Sequence, residues 1–217
     1  MIVFLCYNIN IFGGDKVKEC FHFTKNKYLN DIVKYGLIPG VGSNALLLND
    51  TAFDKISYSV GVENAIEMFV GLYEIYFNIT HSTDDRSNYY LSRRRLFYDV
   101  MAANDFKEWQ NDGVYLLFDG DILKNKNEDE EFDSYTQDTI PSDKLNVCIL
   151  KDKKDDSIIS YSKYDIVNFW IHEKKIYTKS FYSKEYEDDI KKYDDKDYYI
   201  DYMNLNEFYE KYIKDFK

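Results

Sequence analysis

The sequence predicts an α+β fold with a mostly antiparallel β core and flanking helices. Short apolar runs that alternate with polar residues recur along the 217-residue chain, a pattern typical of strands with one buried face. Other segments place apolar residues at spacings of three and four, which indicates amphipathic helices. The length is sufficient for a substantial core, and the order of the strand and helix signals favours an antiparallel arrangement.

The first element with a clear pattern is the run CFHFT at positions 20–24. A period of two directs Phe21 and Phe23 to one face of the predicted strand and His22 and Thr24 to the other. An ordinary core strand with a hydrogen-bonded histidine is the simplest interpretation. The alternative is that His22 belongs to a binding site.

A short helix is predicted to follow, because Leu29, Ile32 and Val33 recur at helical spacing after the candidate N-cap Asn26. Gly36 is placed to end this helix, since glycine tolerates the left-handed conformation at the C′ position. A glycine-flanked loop follows at 39–42. Such a loop allows backbone N–H groups to approach a phosphate or a sugar closely.

The remaining elements are predicted from the same two periodicities. Strands are expected at 1–12, 55–59, 114–118, 132–139 and 145–150, and helices at 63–79 and 89–106. The apolar start of the chain, without a preceding basic region, reads as a strand and not as a signal peptide. Residues 158–161 and 165–171 fit either short strands or one strand and a helix.

The C-terminal part of the chain has a distinct composition. From Ser183 onwards Lys, Asp, Glu and Tyr predominate, while Tyr and Leu positions still allow amphipathic helices. We therefore divide the chain into an α+β domain at 1–182 and an acidic, tyrosine-rich helical appendage at 183–217. Partial disorder of the appendage is the alternative.

The overall charge and the cysteines limit the classes of function. A net charge of −11 argues against nucleic-acid binding through a basic surface and favours a cationic partner. The three cysteines lie far apart without a C-x-x-C pair, so no zinc site is indicated. Their number and spacing fit a reducing compartment, and we expect a cytoplasmic protein with no membrane span.

A second candidate segment, KISYSVGVENA, spans Lys55 to Ala65. Structurally, Ser59 is a candidate cap for the following helix, and Glu63 lies in its first turn, where the helix dipole favours an acid. Functionally, hydroxyl groups beside the N–H groups of a helix start would form a site for a ribose, an amide or a phosphate. Tyr58 and Ser59 are the candidate side chains.

These two segments together resemble the ADP-ribosyltransferase superfamily. The pattern H-x-T, a helix with L-x-x-I and then G-L is similar to the first NAD-binding segment of its histidine-type branches, which include DNA-modifying toxins and RNA 2′-phosphotransferases. The resemblance implies a split, mostly antiparallel β core of ADP-ribosyltransferase type, with NAD bound as substrate. It assigns His22 and Thr24 to the adenosine-side ribose, and Tyr58 and Ser59 to the nicotinamide.

The resemblance also implies a catalytic acid on a late strand, hydrogen-bonded to the nicotinamide ribose. The corresponding stretch is EEFDSYTQDTIP at 130–141, but it lacks a clean Q-x-E or E-x-E pattern. Glu131 and Asp133 share one face in a strand and are the leading candidates for the catalytic acid, and Gln137 is a third. The alternative is that these acids belong to a solvated loop.

All four arginines lie between Arg86 and Arg95, with a run of three at Arg93, Arg94 and Arg95. The planar guanidinium group suits bidentate binding of phosphate, so this run, and Arg93 in particular, is a candidate contact for the NAD pyrophosphate or for a partner. Internal ion pairing with the many acidic residues is the alternative.

The resulting expectation is an NAD-dependent mono-ADP-ribosyltransferase that modifies a macromolecular target and releases nicotinamide. The resemblance implies an effector- or toxin-like protein of bacterial or phage type, with a protein target favoured over a nucleic acid. The alternative is a catalytically inactive nucleotide- or protein-binding module on the same fold. A weaker third option, an RNA-end transferase, is disfavoured by the acidic charge.

Overall fold

A computed structural model describes residues 18–40, 54–69, 111–127, 134–174, 188 and 190–214. The strands are β1 (Glu19–Lys25), β2 (Ile56–Val60), β3 (Gly113–Asp119), β4 (Lys126–Asn127), β5 (Ser134–Thr136), β6 (Asn146–Asp152), β7 (Ile158–Ser160) and β8 (Tyr198–Asn204). The helices are α1 (Leu29–Tyr35), α2 (61–69), α3 (Lys163–Lys174) and α4 (Leu205–Tyr212).

The eight strands form one sheet, in which all the pairings are antiparallel. The order is β4-β5-β2-β1-β3-β6-β7, and β8 pairs with β6 outside this path. β1 and β3 are paired without interruption from Glu19↔Asp119 to Lys25↔Gly113. The long ladder between β1 and β3 therefore links the candidate strands β5, β2 and β1 to the C-terminal part of the sheet.

The sheet carries a hydrophobic core on each face. On the face covered by α2 and α3, here the α2/α3 face, Phe21 packs edge-on against Trp170 with ring centroids 5.4 Å apart. On the opposite face, here the α1/α4 face, Leu116 of β3 packs in one cluster with Leu29 and Phe208. Burial on both faces explains why β3 reads as a continuous apolar run instead of an alternating one.

The predicted α+β class with a mostly antiparallel sheet is confirmed. The strands expected at 20–24, 55–59, 114–118 and 145–150 correspond to β1, β2, β3 and β6, and β5 lies within the strand expected at 132–139. α1 lies within the helix predicted after Asn26, and α2 begins at residue 61, two residues before its predicted start. The predictions for 1–12, 70–79 and 89–106 lie outside the described residues.

Asn26 does not cap α1, which corrects the prediction. Its backbone N–H donates to the Asp112 carbonyl at 3.0 Å, which continues the sheet ladder beyond Lys25. A single 3-10 turn at Asn26–Tyr28 then leads into α1, and no side chain caps either element. Gly36 ends α1 as predicted, but it is the C-cap residue with φ 81° and ψ 178°, outside the left-handed helical region that was expected, and its N–H donates to the Ile32 carbonyl at 2.8 Å.

The structure also decides two regions near the C-terminus. Residues 158–171 form one strand and one helix, β7 and α3, which was one of the two alternatives. Within the segment predicted to be helical from Ser183, α4 is a helix but Tyr198–Asn204 is the strand β8. Tyrosine favours strands, and β6 offers a full-length partner for these seven residues, so sheet pairing prevails over the weak helical pattern.

Candidate functional site

The strands that carry the three candidate segments are neighbours in the sheet, in the order β5-β2-β1. Phe21 of β1 lies opposite Ser59 of β2, and Tyr58 of β2 lies opposite Ser134 of β5. Facing residues that are 38 and 76 positions apart along the chain thus come together at one end of the sheet. Local periodicity did not predict this adjacency.

His22 is the best-defined polar group of this region. Its half-buried ring follows Phe21, the last residue of β1 that is paired with β2, and Nδ1–H donates to the Ser57 carbonyl at 2.7 Å. Because a carbonyl only accepts hydrogen bonds, Nδ1 carries the proton. No hydrogen bond to Nε2 is found within the described residues.

The pKa of His22 lies below its ordinary value. Burial is the main cause, because it disfavours the imidazolium form, and the positive charge of Lys163 acts in the same direction. The hydrogen bond to Ser57 opposes the shift but does not outweigh it. At neutral pH the ring is therefore neutral, with Nδ1–H as donor and the Nε2 lone pair as acceptor.

Thr24 and Tyr58 lie on the same face of the sheet as His22, whereas Ser59 lies on the other. By strand alternation, Thr24 and His22 belong to the α1/α4 face, since His22 lies opposite Leu116. Tyr58 packs edge-on against Phe118 on this face and is 3% exposed. Tyr58 is therefore part of the core in this structure.

Ser59 belongs to the α2/α3 face, as its partner Phe21 does, and it is buried. It lies within β2, while α2 begins at residue 61. Near the start of α2, Glu63 forms an ion pair with Lys174 at the end of α3. Burial raises the pKa of Glu63, but the hydrogen bond and charge of Lys174 outweigh this effect and lower the pKa overall.

The third segment is described only from Ser134 onwards. Glu131, Asp133 and Arg93 lie outside the described residues. Of the acids that follow, Asp138 holds the preceding loop, since Oδ2 accepts hydrogen bonds from the backbone N–H groups of Lys124 and Asn125 at 2.6 and 2.8 Å. These two bonds lower the pKa of Asp138. Its carboxylate therefore has a structural role.

Lys163 is a residue of this region that the sequence reasoning missed. Its side chain is fully buried, and Nζ lies 3.7 Å from the centroid of the Phe23 ring. Burial lowers the pKa of this ammonium group strongly, and the charge of Lys25 adds to the effect. The sequence contained a weak signal, because Ser162 and Asp165 have the spacing of a capping pair. In the structure these two residues form that pair, and α3 begins at Lys163.

A separate cavity of about 270 Å³ is lined by residues of β6, β7 and α3, and not by residues of β1, β2 or β5. Leu150 and Ile159 contribute apolar walls, and Tyr193 and Lys196 line its rim. Asp165 also lines it, with its carboxylate bound by Lys192 Nζ at 2.6 Å. The cavity therefore does not contain any of the predicted site residues.

The described residues contain no group of three or more His, Cys, Asp or Glu side chains arranged to hold a metal ion. Among the helices described, none has both the length and the apolar character needed to cross a membrane. Comparison of the chain with protein-family models, curated proteins and solved structures finds no match. The interpretation of the site therefore depends on its own geometry.

Proposed function

We propose that the protein binds NAD beside β1, β2 and β5 and transfers ADP-ribose to a macromolecular target, with release of nicotinamide. The observation that carries this proposal is the adjacency of the three strands in the order β5-β2-β1. All three segments of the resemblance contribute to this one part of the sheet. Chance resemblance of three separate segments does not require their strands to be neighbours.

His22 is assigned to the adenosine-side ribose of NAD. With Nδ1–H committed to the Ser57 carbonyl, the free Nε2 lone pair accepts a hydrogen bond from a ribose hydroxyl. The hydrogen bond to Ser57 also fixes the tautomer and the ring orientation. Thr24 follows on the same face of β1 and is buried in the core beside it.

The transfer breaks the bond between C1′ of the nicotinamide ribose and the ring nitrogen, whose electron pair leaves with nicotinamide. C1′ then bonds to a nucleophilic oxygen or nitrogen of the target, which loses its proton to solvent. A carboxylate from Glu131 or Asp133, directly before β5, stabilises the positive charge that develops on the ribose. Positioning and charge stabilisation supply most of the catalysis.

The catalytically inactive binding module is kept as a second candidate because of a specific observation. The described strand of the third segment consists of Ser134, Tyr135 and Thr136, which bear hydroxyl groups and no carboxylate. In addition, Tyr58 is packed against Phe118 and does not present a free ring to nicotinamide. A nucleotide bound without turnover is consistent with both features.

Calorimetry and a nicotinamide-release assay with pure protein and NAD test the proposal. We expect Glu131→Gln or Asp133→Asn to reduce turnover by about 10²–10³, equivalent to about 2.7–4 kcal/mol, by analogy with the loss of an oxyanion-hole donor. NAD binding should be almost unchanged, because such a charge acts mainly in the transition state. Binding without turnover in the parent protein would favour the binding module.

Two substitutions of His22 form a matched pair for the binding step. Asn retains an N–H near the position of Nδ1 but has no group at Nε2, whereas Gln extends its amide towards Nε2. If Nε2 holds the ribose, His22→Asn should weaken NAD binding more than His22→Gln does. Equal, unchanged affinity in both variants would remove His22 from the site.

A further inference from the structure

Among the strands that the structure describes, β8 has a partner on only one of its two edges. It pairs with β6 over its whole length, from Asn146↔Asn204 to Asp152↔Tyr198. The other edge of β6 is shared by β3 and β7. In the part of the chain that the structure describes, no strand lies on the far side of β8. β8 is therefore a seven-residue edge strand.

The hydrogen bonds show which backbone groups point outwards. Leu205 N–H donates to the Leu145 carbonyl at 2.9 Å, so the odd-numbered residues of β8 bond to β6. Asp152 N–H donates to the Ser157 carbonyl at 3.0 Å on the opposite side of β6. This agrees with the assignment, because even-numbered residues of β6 should then bond away from β8. The even-numbered residues of β8 consequently direct N–H and C=O away from the sheet.

Four residues of β8 are even-numbered: Tyr198, Ile200, Tyr202 and Asn204, of which Asn204 also caps α4. The N–H of Tyr202 is occupied, since it donates to Oδ1 of Asp201 at 2.8 Å. No hydrogen bond to the N–H of Tyr198 or Ile200 is found among the described residues. Two of the residue types that usually protect an edge are also lacking, because β8 contains no proline and no lysine, and Asp201 is its single charged residue.

We propose that the outer edge of β8 docks an extended, cationic segment of a protein partner, which adds to the sheet as a further strand. Backbone groups of Tyr198 and Ile200 supply the hydrogen bonds, as in other cases of strand addition. This inference goes beyond NAD binding and does not depend on it.

Charge identifies the chemistry of the partner. The chain has a net charge of −11, and residues 183–201 contain eight acidic residues against four lysines. Such a field attracts a lysine- or arginine-rich segment and speeds its association. It opposes a second copy of this chain, which would bring an equal negative charge to the same edge.

Amide hydrogen exchange on the ¹⁵N-labelled full chain tests the proposal directly. The probes are two acetylated seven-residue peptides, one alternating valine with lysine and the other alternating valine with glutamate. With the lysine peptide at ten times its dissociation constant, exchange at Tyr198 and Ile200 should slow about tenfold, because it proceeds from the free fraction. The inward amides of Tyr199 and Asp201 serve as internal controls and should not change.

A pair of variants at one position tests the geometry of the edge. Asp201→Asn and Asp201→Ala both remove the charge, but only Asn retains an acceptor for the N–H of Tyr202. The Ala variant leaves the N–H of Tyr202 free to bond to the peptide. It should therefore bind the lysine peptide about fivefold more tightly than the Asn variant does, the factor expected for one further hydrogen bond. Ile200→Pro, which removes an outward N–H while leaving the bonds to β6, should reduce binding at least as much.

Each remaining outcome would overturn the proposal. Equal protection by the glutamate peptide would contradict the cationic partner. Slow exchange at Tyr198 and Ile200 without any peptide would show that the edge of β8 is already covered. The covering segment belongs to the same chain if the exchange rate is independent of protein concentration, and to a second copy if the rate depends on it. Unchanged fast exchange with both peptides, or equal affinity of the two Asp201 variants, would exclude strand addition here.

Discussion

Gly36 occupies a backbone conformation that side chains rarely adopt, with φ 81° and ψ 178°. A Cβ at this position would lie 2.6 Å from the carbonyl oxygen of Ile140. This close approach allows Leu37 and Ile140 to exchange backbone hydrogen bonds of 2.8 and 3.0 Å, which attach the end of α1 to the segment after β5. The glycine was recognised from sequence as a helix end, but its contact with Ile140 was not.

We predict that Gly36→Ala lowers the free energy of unfolding by about 1–3 kcal/mol, the usual cost of such a backbone conformation, plus the cost of displacing Ile140. Urea denaturation measures the change. Gly40→Ala is the matched control, because a Cβ there meets no atom of the described residues within 4 Å, and its effect should stay within about 0.5 kcal/mol. A similar loss in both variants would contradict this explanation.

His22 should make stability depend on pH. Its pKa is lowered in the folded protein, so between this value and the unfolded value of about 6.5 the unfolded chain binds the additional proton. The contribution of His22 to stability is thus complete above about pH 6.5 and decreases as the pH falls towards the folded pKa. Urea unfolding of the parent between pH 8 and pH 5 should show this decrease.

His22→Asn isolates this effect, since asparagine does not titrate and retains a donor for the Ser57 carbonyl. The difference in unfolding free energy between the two proteins should become smaller as the pH is lowered from 8 to 5. Contributions from the other two histidines cancel in this difference. A difference that does not vary with pH would show that His22 has an ordinary pKa.

At the scale of single residues, sequence reasoning identified His22 and the strand that carries it. It did not identify Ser57 as the partner that sets the tautomer, nor the buried Lys163 near Phe23. Both contacts join residues 35 or more positions apart, and local spacing contains no information about such pairs.

At the scale of elements, α4 is fastened to the sheet by its apolar side. Phe208 is fully buried and packs edge-on against Tyr161 with ring centroids 5.0 Å apart. Tyr209 OH donates to Oδ1 of Asn30 in α1 at 2.8 Å. The C-terminal helix therefore contributes to the same core as α1.

We predict that Phe208→Ala lowers the free energy of unfolding by about 3–5 kcal/mol, as is typical for loss of a buried phenylalanine. Glu210→Ala, on the exposed side of the same helix, should change it by less than about 0.5 kcal/mol. Chemical denaturation of both variants provides the comparison. A small effect of Phe208→Ala would indicate that α4 is dispensable for the core.

Elements with strong patterns were predictable, as the apolar run of β3 illustrates. β8 was not, because YYIDYMN has no helix breaker and its tyrosines fit either periodicity. Its identity as a strand depends on β6, about fifty positions earlier in the chain. The adjacency of β5, β2 and β1 is likewise a property of the whole sheet.

At the scale of the whole molecule, the net charge of −11 is unaffected by ion pairs, because each of them joins one cation with one anion. Pairs such as Lys153–Asp197 at 2.7 Å are largely exposed and contribute little to stability. Repulsion among the remaining carboxylates opposes the compact state, and salt screens it.

We therefore predict that the urea midpoint rises when NaCl is increased from 20 to 200 mM at pH 7.5, over which range the screening length shortens to below about 10 Å. An equal osmolality of sucrose controls for general solute effects. A fall in the midpoint would mean that attractive ion pairs outweigh the repulsion, contrary to this expectation.

The position of β6 has a consequence for synthesis of the protein. Its residues leave the ribosome before β8 is made, and at about 5–20 residues per second the missing partner follows several seconds later. Throughout this interval one full edge of an apolar strand stays open on the nascent chain. A ribosome that stalls after Asp152 but before Tyr198 would release a chain in which this edge of β6 stays open to strand-to-strand aggregation, whereas in a chain released after Leu205 β8 can cover it.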